Sequence, residues 1–280
     1  MVIQGNPNLQ EYPQLPGDLA SRITAATPLS GGLSNRCWKL TDISGNQFVW
    51  RPVSKASGCF GVNREHEWAV QKIASRAGLA PDPVTLYAEG LLIEWVEGQV
   101  CEPDTVGQED VLSLLGKVHK LALPSPVFNL KSRCRHYWEN LPEKSKPPAL
   151  TSLHQRMQSA AEPIPSFTAL CHHDFGFYNF IREPGDAIRV IDWEYAAAGD
   201  ACLDLALCAF ANGYDVEDAV LNYCRINNVK SEKEWIETAQ NWIPFVQYMG
   251  ILWYLLGDSL YGGTLYKARA NLLMDELGRV

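Results

Sequence analysis

The sequence predicts an α+β fold of two lobes, with a small antiparallel sheet in residues 1–97 and a mostly helical lobe in residues 98–280. Short segments of strand character, separated by turn residues, follow one another between residues 37 and 96. From residue 108 onward, apolar residues recur at helical spacing instead. A polar block at residues 171–204 interrupts the helices with a loop, a tight hairpin and a strand that ends in a carboxylate.

The composition argues against a nucleic-acid-binding or membrane-spanning protein. The 280 residues are 46% hydrophobic and 20% charged, and the formal net charge is −8, which suits a cationic substrate better than a polyanion. The longest apolar run, residues 242–257, is short for a membrane span and contains Pro244. The eight cysteines form no C-x-x-C pair and the N-terminus shows no export signal, so we expect buried thiols and a cytoplasmic protein. The oligomeric state stays open.

The first lobe contains a loop of small and polar residues. A short helix is predicted at residues 19–26, and two strands flank the turn at residues 44–46. Glycines let backbone N–H groups approach phosphate oxygens, and serine and asparagine side chains add donors. The loop is therefore a candidate phosphate site, although its spacing also fits an ordinary hairpin turn. Its residues are Ser30, Gly31, Gly32, Ser34 and Asn35.

The remaining elements follow from periodicity and from helix-breaking residues. A helix is predicted from residue 63 to about residue 76, and strands at residues 84–88 and 91–96 complete the sheet, with the lobe boundary at residues 96–98. His119 lies beside an apolar helical stripe, and we interpret it as a structural histidine. A capping box at Ser231 predicts the start of a longer helix. Other helices of the second lobe are predicted at residues 108–121, 131–140, 149–161, 201–211, 215–227 and 271–277.

The polar block carries the residues from which we predict catalysis. His172, Asp174 and Asn179 stand in an H-x-D-x-x-x-x-N pattern, and Asp192 begins the sequence D-W-E after an apolar run. Phosphoryl transfer needs a carboxylate that orients the attacking hydroxyl and accepts its proton. It also needs an amide oxygen and a second carboxylate that hold Mg²⁺ against the nucleotide phosphates. We therefore predict Asp174 as the base, with Asn179 and Asp192 as the metal ligands.

This block resembles the catalytic and metal-binding loops of the aminoglycoside phosphotransferase and choline kinase superfamily, whose members are related to the protein kinases. The sequence IDWEYAAAGDACLDLA is most similar to the choline, ethanolamine and thiamine kinases. His173 stands where protein kinases carry the arginine of H-R-D, which is typical of small-molecule kinases. The resemblance implies a protein-kinase-like two-lobed fold and a phosphotransferase that uses ATP and Mg²⁺.

The resemblance also assigns roles outside the block. Arg51 takes the place of the strand residue that pairs with the nucleotide phosphates, and the loop at residues 30–35 lies where related proteins hold phosphate. Glu67 would pair with Arg51, with Glu65 as the alternative, because two residues along a helix point to different sides. Within the second lobe, His172 would brace the catalytic loop and Asp204 would buttress it. Glu94 and Val96 would form the hinge that pairs with adenine.

The resemblance to choline kinases implies that the aromatic C-terminal fifth of the chain supplies walls of the acceptor pocket. Ring faces attract quaternary nitrogen, and nearby carboxylates add Coulomb attraction. The same aromatic residues follow helical spacing and are more simply explained as core packing. The candidates are Glu194, Asp200, Trp242, Tyr248 and Trp253.

The expected partner is a small, cationic alcohol, with neither nucleic acid nor membrane involved. The C-terminal sequence NWIPFVQYMGILWYLLG favours thiamine, whereas the REHE segment is closer to choline and ethanolamine kinases, and an aminoglycoside-type acceptor is a further alternative. Two rival hypotheses belong to other classes. One is a nucleotide-binding pseudokinase, and the other is a metal-dependent hydrolase built on His172, His173 and Asp174.

Overall fold

The chain divides into two units that do not follow the predicted boundary throughout. The computed structural model describes residues 13–29, 36–165 and 167–278. The described part of the first unit falls within residues 13–58, 62–99 and 181–194, and that of the second within residues 59–61, 100–180 and 195–278. Apart from residues 59–61, which belong to the second unit, the chain first leaves the first unit after residue 99, near the predicted boundary after residue 97. The prediction that residues 98–280 form one continuous lobe differs from the structure, because residues 181–194 belong to the first unit.

The elements up to residue 94 are α1 (Gly17–Ala20), β1 (Ile23–Pro28), β2 (Trp38–Asp42), β3 (Gln47–Pro52), α2 (Lys55–Cys59), α3 (Arg64–Arg76), β4 (Pro83–Tyr87) and β5 (Gly90–Glu94). The next are β6 (Gln99–Val100), α4 (Gln108–Val118), α5 (Leu130–Asn140), α6 (Pro148–Ser159), β7 (Thr168–Cys171), β8 (Phe180–Arg182), β9 (Ile188–Val190) and β10 (Ala197–Asp200). The chain closes with α7 (Ala201–Asn212), α8 (Val216–Asn227), α9 (Glu232–Tyr261) and α10 (Thr264–Leu277).

The first unit is built on a five-stranded antiparallel sheet of order β1-β2-β3-β5-β4. Leu40, Trp50 and Leu92 bury one face of it together with Leu19. The predicted helix at residues 19–26 is wrong. Only the short α1 is helical there, because the following residues pair with β2 as the edge strand β1. The predicted phosphate loop at residues 30–35 lies outside the described residues.

The segment that returns to the first unit is a hairpin followed by the D-W-E sequence. Strands β8 and β9 flank the turn, where Glu183 N–H donates to the carbonyl of Ala187 at 2.8 Å. Val190 N–H donates to the carbonyl of Leu79 at 2.7 Å, and the Arg189 guanidinium donates to the carbonyl of Gly78 at 2.8 Å. These bonds attach the hairpin to the connection between α3 and β4, which explains why it leaves the helical part of the chain.

The second unit is mostly helical, and its helices lie close to the predicted positions. Strands β7 and β10 pair antiparallel, and β10 leads directly into α7, whose residues from Ala201 to Ala209 are all buried. Helix α10 is longer than predicted, and Ser231 makes no side-chain cap bond at the start of α9, so the predicted capping box is wrong. All eight cysteines are free thiols. Among the described residues, no helix combines the length and apolar character that crossing a membrane requires.

Candidate active site

The catalytic loop of the second unit is anchored through its backbone. His172 and His173 follow β7, and their N–H groups donate to the two carboxylate oxygens of Asp204 at 2.9 and 2.8 Å. His173 has a left-handed backbone with φ of 62°, which costs about 1 kcal/mol or more for a non-glycine residue. The fully buried Asp204 on α7 therefore holds a strained turn immediately before Asp174.

Asp204 stays ionised because several donors surround it. Burial works to raise the pKa of Asp204, but the hydrogen bond from His119, the nearby histidines and the backbone N–H of His172 outweigh it and lower the pKa to about 2. His119 Nε2 lies 3.1 Å from the carboxylate, and its Nδ1 lies 2.7 Å from the hydroxyl of Tyr223. His119 is thus a hydrogen-bonded structural histidine whose partner is the anchor of the catalytic loop.

Asp174 is held at both ends of its carboxylate. The side-chain amide of Asn179 donates to the backbone carbonyl of Asp174 at 2.9 Å and to its Oδ2 at 3.1 Å. The hydroxyl of Tyr178 donates to Oδ1 at 2.6 Å. Asn179 is buried and Asp174 is half-buried. The predicted base and the predicted amide ligand are therefore adjacent in this unit and linked by a direct hydrogen bond.

The two histidines before Asp174 are packed into the unit. The ring of His172 is fully buried and lies edge-on to Phe175, while His173 stacks on Phe128 with centroids 4.1 Å apart. His173 Nδ1 lies 3.0 Å from the carbonyl of Tyr195, and burial lowers the pKa of His173, so its imidazole is neutral. Both side chains therefore support the loop as packed rings.

A metal-dependent hydrolase gains no support from the described residues. The group of potential metal ligands that converges there consists of His119, Cys171 and Asp204, and His119 and Asp204 are already hydrogen-bonded to each other. His172, His173 and Asp174 form no such group among the residues described.

In the first unit, Arg51 is the centre of a buried ion cluster. Its Nε lies 2.6 Å from Glu67 Oε1, and its Nη2 lies 2.8 Å from Glu194 Oε2 and also contacts Asp192. Glu67 is fully buried, whereas Glu65 is exposed, so the tertiary structure selects Glu67 as the partner. This ion pair joins β3 to α3.

Arg64 is a second cation in the same cluster, which sequence reasoning missed. Its guanidinium contacts Glu67, lies 3.3 Å from Glu194 Oε2 and donates to the carbonyl of Pro52. The spacing of Arg64 and Glu67, three residues apart on a helix, is the signal that could have identified it. The cluster thus contains two arginines and three carboxylates.

The cluster contains more carboxylates than arginines, and this excess affects the pKa of Glu194. Burial raises the pKa of Glu194 to about 7, helped by the charge of Asp192 and opposed by Arg51 and Arg64. The surrounding carboxylates raise the pKa of Arg51 even though burial opposes this, so the guanidinium remains charged. Asp192 has a left-handed backbone with φ of 64°, and its side chain is 25% exposed. It is the member of the cluster that meets solvent most.

The predicted hinge residues lie at the end of β5 and just after it. Glu94 N–H donates to the carbonyl of Asp82 at 2.9 Å, and Trp95 N–H donates to that of Gln47 at 3.2 Å. Val96 is half-buried, and both Glu94 and Val96 line a cleft of about 370 Å³ within this unit. The cleft also contains residues of the returning hairpin, Glu183, Pro184 and Arg189.

Most residues predicted for the acceptor pocket have structural partners instead. Asp200 caps α7 by accepting from Cys202 N–H at 3.0 Å, and it accepts from Trp242 Nε1 at 2.7 Å. Tyr248 is fully buried, with its hydroxyl 2.5 Å from His154 Nδ1. Glu194 belongs to the ion cluster. These contacts are those of core and cap residues.

Two tyrosines that were not among the predicted site residues, Tyr178 of the catalytic loop and Tyr254 of α9, interact with Asp174. Burial raises the pKa of Tyr254, and Arg269 opposes this rise. The negative charge of Asp174 adds to the rise, so the Tyr254 phenol lies within the electrostatic field of Asp174. Trp253 is half-buried, lies edge-on to Tyr254 with centroids 5.2 Å apart and donates to the hydroxyl of Tyr195. Sequence reasoning selected Trp253 but neither Tyr254 nor Tyr178. For Tyr178, its position between Asp174 and Asn179 is the signal that could have found it.

Comparison with known sequences agrees with the motif. A family model described as choline/ethanolamine kinase matches residues 26–247. A thiamine kinase of Shigella boydii serotype 4 (strain Sb227) is 23% identical over 180 residues, which is 64% of each chain, so the match spans slightly less than two thirds of that relative. A thiamine kinase of Escherichia coli O17:K52:H18 (strain UMN026 / ExPEC) is 23% identical over 231 residues, 81% of each chain.

Comparison with solved structures addresses the fold. The choline kinase LicA from Streptococcus pneumoniae gives a TM-score of 0.72 at 18% identity, covering 94% of this chain and 96% of that one. LicA in complex with AMP gives 0.70 at 18% identity, covering 92% of each chain. The gentamicin–APH(2")-IIa complex gives 0.64 at 13% identity, covering 95% and 97%. These similarities confirm the predicted protein-kinase-like α+β fold.

Proposed function

Because this chain belongs to the choline/ethanolamine kinase family, we propose that it transfers the γ-phosphoryl group of ATP to the hydroxyl of a small, cationic metabolite. The observation that carries the proposal is the setting of Asp174. Its carboxylate is half-buried, it is bonded to Asn179, and it follows a turn that the buried Asp204 anchors. A carboxylate fixed in this way can orient an alcohol and accept its proton.

Asp174 acts as the general base. The acceptor hydroxyl donates its hydrogen bond to the carboxylate, which directs the oxygen lone pair toward the phosphorus atom. As the new P–O bond forms and the bond to the ADP oxygen breaks, the hydroxyl proton passes to Asp174. His172 supports this step indirectly. Its backbone N–H and that of His173 donate to Asp204 and keep the turn before Asp174 in place.

Asn179 and Asp192 are the proposed magnesium ligands, and their donor atoms suit a hard cation. The side-chain nitrogen of Asn179 makes both bonds to Asp174, so the amide oxygen is the atom that would hold the metal. Asp192 is the most exposed carboxylate of its ion cluster. A bound Mg²⁺ neutralises charge on the nucleotide phosphates.

The nucleotide would be held by the first unit. Arg51 is always charged and can contact two phosphate oxygens at once, and Glu67 orients it through a 2.6 Å ion pair. Backbone groups of Glu94 and Val96 are the proposed adenine partners, and Ser30, Gly31, Gly32, Ser34 and Asn35 the proposed phosphate loop. The AMP complex of the similar choline kinase LicA supports a nucleotide as ligand.

Thiamine is the first acceptor that we propose, with choline or ethanolamine next and an aminoglycoside last. The curated relatives are thiamine kinases, whereas the family model and LicA favour choline or ethanolamine. Thiamine and choline both carry a cationic nitrogen and a primary hydroxyl. The rings of Trp253 and Tyr254 can attract such a nitrogen close to Asp174.

The proposal is tested by magnesium-dependent ADP release with thiamine, choline, ethanolamine, an aminoglycoside and homoserine as acceptors. We expect turnover with thiamine, reduced by about a thousandfold in Asp174→Ala because the general base is lost. Asp275→Ala, which removes an exposed carboxylate of α10, is the matched control and should retain full turnover.

Each other outcome has a definite meaning. Turnover with choline alone would keep the reaction and change the acceptor. Turnover that survives in Asp174→Ala would refute the assignment of the base. Binding of ATP without turnover for any acceptor would support a pseudokinase.

A further inference from the structure

Tyr178 occupies the place at Asp174 that an acceptor alcohol would take. Its phenol donates a 2.6 Å hydrogen bond to Asp174 Oδ1, while Asn179 engages Oδ2. A phenol O–H is the same kind of donor as the hydroxyl of a substrate. An acceptor hydroxyl that approaches Oδ1 from the side the phenol now takes must displace the phenol before it can be activated.

We propose that Tyr178 is a placeholder for the acceptor hydroxyl, and that it keeps water away from the base until an acceptor arrives. The inference rests on the proposed role of Asp174 as the general base. It assigns to Tyr178 a further task, the discrimination between an alcohol and water as the attacking group.

The position of the Tyr178 ring is built into the loop by Gly176. A Cβ atom on Gly176 would lie 2.3 Å from Cε1 and 2.5 Å from Cζ of Tyr178, closer than any real side chain permits. The backbone of Gly176, with φ of −101° and ψ of 152°, is in the extended region that every residue can adopt. Glycine is therefore needed at this position by the ring and not by the backbone.

The Tyr178 ring can also move away from Asp174. Tyr178 is 42% exposed, and Phe177, the ring that lies edge-on to it at 5.7 Å, is its neighbour in sequence. Rotation toward solvent would break the bond to Asp174 and expose the buried part of the ring. A bound acceptor replaces that bond with its own hydroxyl, so the exchange is close to balanced.

Loss of the phenol should admit the side reaction that the placeholder prevents. A water molecule would then donate to Asp174 Oδ1. Its oxygen attacks the γ-phosphorus, the bond from phosphorus to the ADP oxygen breaks with its electron pair leaving on ADP, and the proton passes to Asp174. The products are ADP and inorganic phosphate, formed without any acceptor.

Two variants of the full chain test the proposal by different routes. Tyr178→Phe removes the hydroxyl and keeps the ring, whereas Gly176→Ala keeps the hydroxyl and displaces the ring. In each, ADP and phosphate release are measured with MgATP alone and with increasing acceptor. We expect acceptor-independent hydrolysis to rise about tenfold, because the hydrogen bond from the Tyr178 phenol to the charged Asp174 is lost and water can take its place. The acceptor KM should fall, because the acceptor no longer has to break that bond. The kcat for transfer should change little.

Tyr214→Phe is the matched control, since it removes a phenol of the same unit outside the catalytic loop. An unchanged ratio of hydrolysis to transfer in both variants, with transfer intact, would overturn the placeholder and leave the proposed function standing. A parallel loss of hydrolysis and kcat would overturn it as well, since Tyr178 would then position the base. Detection of phosphorylated Tyr178 by mass spectrometry would also refute it. Failure of the proposed function is recognised separately, by turnover that persists in Asp174→Ala.

Discussion

The two polar regions of this protein are stabilised by different interactions. In the second unit, one buried carboxylate, Asp204, accepts hydrogen bonds from two backbone N–H groups and from His119. In the first unit, Arg51 and Arg64 form ion pairs with three carboxylates. Hydrogen bonds to fixed backbone groups hold one geometry, whereas an ion cluster can exchange partners when a cation or a polyanion binds. We infer a rigid loop at the proposed base and an adjustable cluster at the residues proposed for metal and phosphate.

Both regions nevertheless contain a residue with a strained backbone at or beside a proposed functional residue. His173 precedes the proposed base and Asp192 is a proposed metal ligand, and both have left-handed backbones without being glycine. Such conformations persist only where surrounding bonds over-determine them. Asp204 supplies those bonds for His173, and the contact of Asp192 with Arg51 contributes them in the first unit.

The largest effect is expected from removing the hydrogen-bond anchor. Asp204→Ala leaves the N–H groups of His172 and His173 and the imidazole of His119 buried without their acceptor. We expect the free energy of unfolding to fall by about 4 kcal/mol, since each orphaned donor costs roughly 1–3 kcal/mol. Urea denaturation followed by tryptophan fluorescence measures this. A loss below about 1 kcal/mol would contradict the role of Asp204 as an anchor.

One substitution in the ion cluster should lower the free energy of unfolding, and a second should restore part of it. Arg51→Met leaves Glu67 and Glu194 with Arg64 alone, and we expect a loss of about 3 kcal/mol of unfolding free energy. Adding Glu67→Leu removes the uncompensated charge and should recover part of that loss. A double-mutant cycle by denaturation measures the coupling. Additive effects would show that the two residues do not depend on each other.

The smallest effect is a pH dependence confined to the second unit. The pKa of Asp204 is about 2 in the folded protein against an ordinary value of 3.8, so its contribution is complete above pH 3.8 and is lost as the pH falls toward 2. The amount is about 2 kcal/mol, because one pKa unit corresponds to about 1.4 kcal/mol. Asp204→Asn should lack this part of the acid loss. Stability curves of both proteins between pH 5 and 2 that run parallel would refute the assignment.

Much of the local structure was predictable from the sequence. The helix at residue 108 follows apolar periodicity, which a helix imposes on its own sequence, and the helices at residues 130, 148, 201 and 216 begin within a few residues of their predicted positions. The H-x-D-x-x-x-x-N spacing brought Asp174 and Asn179 together because they lie within one short loop. The assignment of these residues to catalysis and metal binding stays a prediction.

Other features depend on contacts between distant parts of the chain. Glu65 and Glu67 are both acceptable partners for Arg51 by sequence, and only the packing of α3 on the sheet buries one of them. Tyr248, Trp242 and Asp200 fit a pocket or a core equally well by sequence, and only the structure shows that Tyr248 contacts His154 and that Asp200 accepts from Trp242 and caps α7.

The sequence by itself determined the fold class, the family and the order of the polar residues, because periodicity, turn chemistry and motif spacing are properties of neighbouring residues. Only the tertiary structure decided that residues 181–194 return to the first unit, that Arg64 joins Arg51, and that Tyr178 bonds to Asp174. These choices depend on which buried charges and donors find partners once the chain is packed. A buried polar group without a hydrogen-bond partner destabilises the folded protein, whereas the same group exposed to water does not. This free-energy cost therefore arises only in the folded state.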